Sequence, residues 1–228
     1  AEGTLPAAEC RVEMVDGAAQ GVDPSIAKLL ASKHAKIQLD DEELCQIWFA
    51  KAWKNAEMPE KPGTVPIEYR LQPGSLVGVI RVPRTLFDLR DQEIPAGVYI
   101  LRYAVQPEFE AHRDSHESRD FLLLLSSEVD KSPDAWPKLD DMIAQSAESI
   151  QTMHPAFMAL VKPAEADRAK GIRRDERDEN GWILMTAGSD DAGKPVPIGV
   201  ANFVWFDYGT GAARGFPGPR TSSPGSPA

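Results

Sequence analysis

Apolar residues in this chain fall mostly at every second position or in short uninterrupted runs, and Pro, Gly and Asp punctuate them. That is the rhythm of strands. CRVEMV predicts a short strand over residues 10–15, closed by a turn at Asp16-Gly17. DPSIAKLLASKH predicts a short helix: Asp23 can cap it, Pro24 suits the first helical position, and Ile26, Leu29 and Leu30 share a face. AKIQLDDEELCQIWFAKAW predicts a β-hairpin, with a turn at residues 40–42 and a return strand over 44–49. A helix is the rival reading of its second half, and the β-branched and aromatic content favours the strand.

IEYRLQPGSLVGVIRVP predicts two strands about a Pro73-Gly74 turn. In the second, Leu76, Val79, Ile80 and Val82 fall out of step, which implies a bulge or burial on both faces. Val98, Ile100, Tyr103 and Val105 mark a long strand. RDFLLLL marks another whose apolar end does not alternate, the signature of a strand covered on both sides. SPDAWPKLDDMIAQSAESIQTM carries apolar residues at helical spacing, and HPAFMALVKP follows as a strand. AEADRAKGIRRDERDENG is charged without apolar period, a solvated loop or hairpin tip. WILMTAG and PIGVANFVWFD are the last two strands.

These elements predict a mainly β protein, an antiparallel β-sandwich of jelly-roll or Ig-like type with one or two short helices. No βαβ alternation and no internal repeat appears. Residues 1–208 form one domain with an N-terminal extension, and residues 209–228 are an extended Gly/Pro/Ser-rich tail with nothing to bury.

The formal net charge is −10, from 25 Lys and Arg against 35 Asp and Glu. An acidic surface repels phosphate backbones, which argues against nucleic acid as a partner. No apolar run reaches the length of a transmembrane segment. The chain begins at Ala1, as a mature exported protein would after losing its signal peptide, so an extracytoplasmic location, periplasmic or secreted, is expected. Cys10 and Cys45 both sit in strand-like runs and are candidates for a structural disulfide; the rival reading is two buried free thiols.

The candidate chemistry lies between the two central strands, in EFEAHRDSHESRD. His112 and His116 are four apart, with Glu110 and Asp114 at the same parity, so a strand would line all four along one side. Imidazole and carboxylate suit a transition metal such as Zn or Cu, and His154 is a candidate third nitrogen. The plainer reading is a charged connection between buried strands, with no cofactor. Arg102 and Asp120, on neighbouring strands, are candidates for a register-fixing ion pair. No serine sits in a GxSxG elbow and no phosphate loop is present. The five tryptophans are candidates for a sugar-stacking platform or for core packing.

LCQIWFAKAW, LQPGSLVGVIRV, IPAGVYILRYAVQP, RDFLLLL and HPAFMAL, over about residues 36–161, resemble in kind and order a group of uncharacterised exported bacterial proteins. AGVYILR also resembles the AGxYxL strand entry of secreted β-domains such as the domain family of unknown function 2911. The resemblance implies an exported β-domain and transfers no catalytic residue. The expected function is therefore a non-catalytic accessory or structural subunit, binding protein partners or copies of itself through sheet edges and its terminal tail. The alternatives are a metal-binding protein using His112 and His116, and a carbohydrate-binding module.

Overall fold

A computed structural model describes residues 9–57, 65–88, 92–107, 118–168, 171–176 and 178–201. Twelve strands are defined among them: β1 (Cys10–Asp16), β2 (Lys33–Leu39), β3 (Glu42–Phe49), β4 (Leu76–Val82), β5 (Leu86–Phe87), β6 (Glu93–Ile94), β7 (Gly97–Val105), β8 (Asp120–Ser126), β9 (Phe157–Val161), β10 (Ile172–Asp175), β11 (Asp178–Ser189) and β12 (Pro195–Ala201). Two α-helices, α1 (Pro24–Ala27) and α2 (Leu139–Ser149), complete the set with one 3-10 turn at Glu165–Asp167.

The protein is mainly β, as the alternation predicts. Ten strands form a single antiparallel sheet in the order β1-β2-β3-β4-β7-β8-β9-β12-β11-β10, and β5 and β6 make a separate ribbon. Where a sandwich needs two stacked sheets, here one sheet curls until its two edge strands, β1 and β10, come back into contact. The result is a nearly closed barrel. Alternation alone cannot separate these outcomes, because a strand reads the same whether its buried face meets a second sheet or the far wall of its own.

Register assigns the faces. Ile37, Ile47, Ile80, Leu101, Leu122 and Leu160 belong to the large core cluster inside the barrel. Phe121, Leu123, Leu125, Phe157 and Ala159 belong to a second cluster on the outside, under Met142 of α2. The leucine run of β8 therefore has no alternation because both of its faces are covered, one by the barrel core and one by the helix. Ser146 of α2 donates its hydroxyl to the carbonyls of Leu124 (2.8 Å) and Ala156 (3.1 Å), fixing the helix to the sheet.

Local chemistry explains the smaller elements. Asp23 caps α1 by accepting from the Ser25 N–H, with Pro24 in the first turn. The β2–β3 hairpin turns at Asp40, which adopts a left-handed φ of 52°. The register of β4 on β7 shifts between Leu76 and Gly78, the bulge that the out-of-step pattern implied. The charged run after β9 contains β10 and the β10–β11 hairpin.

Residues 67–71 are a correction. Expected as a strand, they join no ladder beyond an isolated bridge between Leu71 and Asn55. With residues 50–57 they run across one end of the barrel. Trp53 donates its backbone N–H to Ser189 (2.8 Å) and its indole N–H to Val77 (2.9 Å). Its ring fills the space above Gly188, where a Cβ would stand 2.4 Å from it. Among the described residues no helix is long and apolar enough to cross a membrane.

Candidate functional site

Arg102 of β7 is fully buried, so its charge must be matched nearby. It is matched by Asp130, through Nε at 2.7 Å and Nη2 at 2.8 Å. The remaining donors reach the carbonyls of Gly74 (3.2 Å), Asp134 (2.8 Å) and Ser132 (2.5 Å). One guanidinium thus anchors the loop between β8 and α2. Gly74 closes the arrangement: with φ +80° it accepts from the Trp136 N–H at 3.1 Å, and a Cβ there would stand 2.4 Å from the Trp136 carbonyl.

The expected Arg102–Asp120 pair is not formed. Arg102 is opposite Leu123 and Asp120 is opposite Val105. By the pleat, Arg102 shares the outer face with Leu123, whereas Asp120 shares the inner face with Leu122.

Asp120 belongs to a different buried cluster. It accepts from the Tyr103 hydroxyl (2.5 Å) and from the backbone N–H groups of Glu68 (2.8 Å) and Tyr69 (3.3 Å). Tyr69 in turn donates its hydroxyl to the Val161 carbonyl at 2.7 Å. Burial pushes the Asp120 carboxyl above its ordinary range, against the lowering effect of these hydrogen bonds. Burial pushes both tyrosine hydroxyls up as well. A carboxyl beside two phenols has the composition of a proton-transfer site. Here Asp120 is 0% exposed, and the bonds it accepts hold Glu68 and Tyr69 across the barrel mouth. The cluster works as a clasp.

Of the candidate metal ligands, Glu110, His112, Asp114 and His116 lie outside the described residues. His154 is exposed and precedes β9, at the Ser126 end of β8. Among the described residues no three His, Cys, Asp or Glu side chains are grouped to hold a metal ion.

Cys10 and Cys45 are free and buried, and this overturns the disulfide. Strand β2 runs between them, with Cys10 opposite Leu39 on one side and Cys45 opposite Ile37 on the other. Two strand spacings come to about 9.5 Å, beyond the roughly 7 Å between Cα atoms that a disulfide spans. Burial pushes the Cys10 thiol up to about 12 and raises Cys45 well above its ordinary value, so both stay protonated and unreactive.

The structure adds His34, which no sequence motif marks. It stacks on Trp48 at 4.2 Å and 23°, and it is buried with Nδ1 unpartnered. Trp48 donates its indole N–H to the Gly17 carbonyl at 2.7 Å, so the pair holds the crossing that follows β1. Burial holds the His34 imidazole below its ordinary value, ahead of the opposing effects of Gly17, Glu43 and Asp16.

Two features among the described residues open to solvent. A depression of about 560 Å³ is lined by residues 129–132 and 134–137 of the Arg102-anchored loop, including Trp136. The barrel seam is the second. Gly171, just before β10, lies so close to β1 that a Cβ on it would stand 2.9 Å from Val12 Cγ1. Strand β1 has seven residues and β10 has four. Among the described residues, no strand flanks positions 13–16 on the side away from β2. Met14 pairs with Ala35, on the face that carries the barrel core, yet it is 57% exposed. No protein-family model, curated protein or solved structure matches this chain.

Proposed function

We propose that this chain is an exported, non-catalytic accessory subunit that binds protein partners, chiefly by accepting an extended partner segment as an added strand along β1. The carrying observation is the seam. An edge strand offers the unpaired N–H and C=O groups of every second residue, and proteins ordinarily cover or blunt such an edge. Here the second half of β1 exposes Met14 on the core-facing side. A strand added there would continue the ladder and bring apolar side chains over that methionine, the arrangement of β-augmentation. The tail, residues 209–228, has the composition of a second contact segment. The Arg102 and Asp120 clusters support the same reading, since their polar atoms tie covering segments to a rigid scaffold.

The test is the size of the native assembly. Wild-type protein purified from its own cells should elute with a partner, and Met14→Lys should elute alone with its thermal midpoint nearly unchanged. Elution of the wild type as a monomer, or an intact assembly in the variant, contradicts the reading.

A further inference from the structure

The four tryptophans among the described residues divide by what their rings do. Trp48 and Trp53 are buried, and each donates its indole N–H to a backbone carbonyl. Trp182 lies under the Arg174 guanidinium, 4.5 Å from the ring centroid. Trp136 is half-buried: it packs against the second core cluster and also lines the open depression. Its indole N–H has no hydrogen-bond partner among the described residues.

The loop around it has two kinds of residue. Asp130 is drawn inward and fully used by Arg102. Lys131 and Asp134 are exposed on the wall of the depression and have no side-chain hydrogen bond to another described residue; the Lys131 charge also acts on Asp23, whose carboxyl is lowered first by its Ser25 hydrogen bonds. Ser132 adds a hydroxyl, which accepts from the Asp134 N–H at 3.1 Å and keeps its own proton to donate. Val129, 50% exposed, adds apolar surface to the same depression. One indole, with its N–H donor, thus shares the lining of the depression with a cation, an anion and a hydroxyl. The backbone beneath them is fixed at Ser132, Asp134 and Trp136 by Arg102 and Gly74.

We propose that this depression binds a saccharide, with one pyranose ring stacked on Trp136 and its hydroxyls hydrogen-bonded to Asp134, Lys131 and Ser132. A pyranose has an apolar C–H face and a rim of hydroxyls that donate and accept, which matches a wall of mixed sign around one aromatic. A free anion would meet Asp134 and a lipid chain would meet three polar side chains, so both fit less well. The volume lies within the range of about 300–1,000 Å³ usual for small-ligand sites. Prepositioning the loop lowers the ordering cost of binding. The site shares no element with the β1 edge and stands or falls separately from it.

The experiment is a tryptophan-fluorescence titration of the full chain with cellohexaose, laminarihexaose, mannohexaose and chitohexaose. At least one should give a saturable change at millimolar concentration or below. Asp134→Ala and Lys131→Ala, on the exposed wall, should each weaken it by about tenfold, and Trp136→Ala should abolish it. No saturable change with any of the four overturns the proposal, as does binding of unaltered affinity in both wall variants. The two wall side chains are exposed and support no packing, so the test holds whether or not Trp136→Ala folds.

Discussion

At the scale of single residues, the energetics are decided by charges that the fold has taken out of water. Arg102 and Asp130 are 0% and 1% exposed, so neither tolerates loss of the other. Arg102→Met should cost about 3–5 kcal/mol, because it strands a buried carboxylate, and replacing both partners with apolar residues should recover much of that loss. Denaturant unfolding of the two singles and the double checks this. His34 gives a pH dependence whose sign follows from burial. Its folded pKa lies below the unfolded 6.5, so its stabilising contribution is complete above pH 6.5 and is lost as pH falls towards the folded value. His34→Phe can keep a stacked ring on Trp48 and cannot titrate. Between pH 7.5 and 5.5 the wild type should therefore lose more stability in urea than this variant; equal losses would contradict the assignment.

At the scale of elements, the strands that can be read from sequence are those whose burial leaves a pattern. The leucines of β8 lack alternation because the barrel core and α2 cover opposite faces, and that lack is itself legible. Residues 67–71 alternate as a strand would, for another reason: Tyr69 points its hydroxyl at Val161 while its N–H meets Asp120, so the segment is held by anchors rather than a ladder. The Arg102–Asp120 pairing fails for want of parity, since two charges on adjacent strands can face opposite ways. Asp130, the true partner, lies in a loop without periodicity, and nothing in the sequence marks it. The Pro73-Gly74 turn is legible, but not its second use as the seat of the Trp136 backbone. Gly74→Ala should place a Cβ against that carbonyl and strain a left-handed backbone, costing roughly 1–3 kcal/mol. It should also shift Trp136 emission, because the loop must move; a thermal midpoint and spectrum like those of the wild type would show that the contact is not a constraint.

At the scale of the whole molecule, one curled sheet encloses one core, and a second core lies beneath α2. The strand order follows the chain from β1 to β9, with β5 and β6 set aside, then reverses through β12, β11 and β10, and this brings the first and last edges together. No local pattern encodes that meeting, so a sequence of alternating strands is equally compatible with two stacked layers. Among the described residues the meeting is also incomplete: β1 has seven residues against four in β10, and Met14, on the core side, is 57% exposed. The proposed function rests on that mismatch. Amide hydrogen exchange, followed by mass spectrometry on the natively purified assembly and on the isolated chain, gives its sharpest test. Protection should rise in the assembly over residues 13–16 of β1 and stay unchanged in β3 and β4, which are paired on both sides. Equal exchange of β1 in the two states, with the assembly intact, would contradict strand addition at this edge.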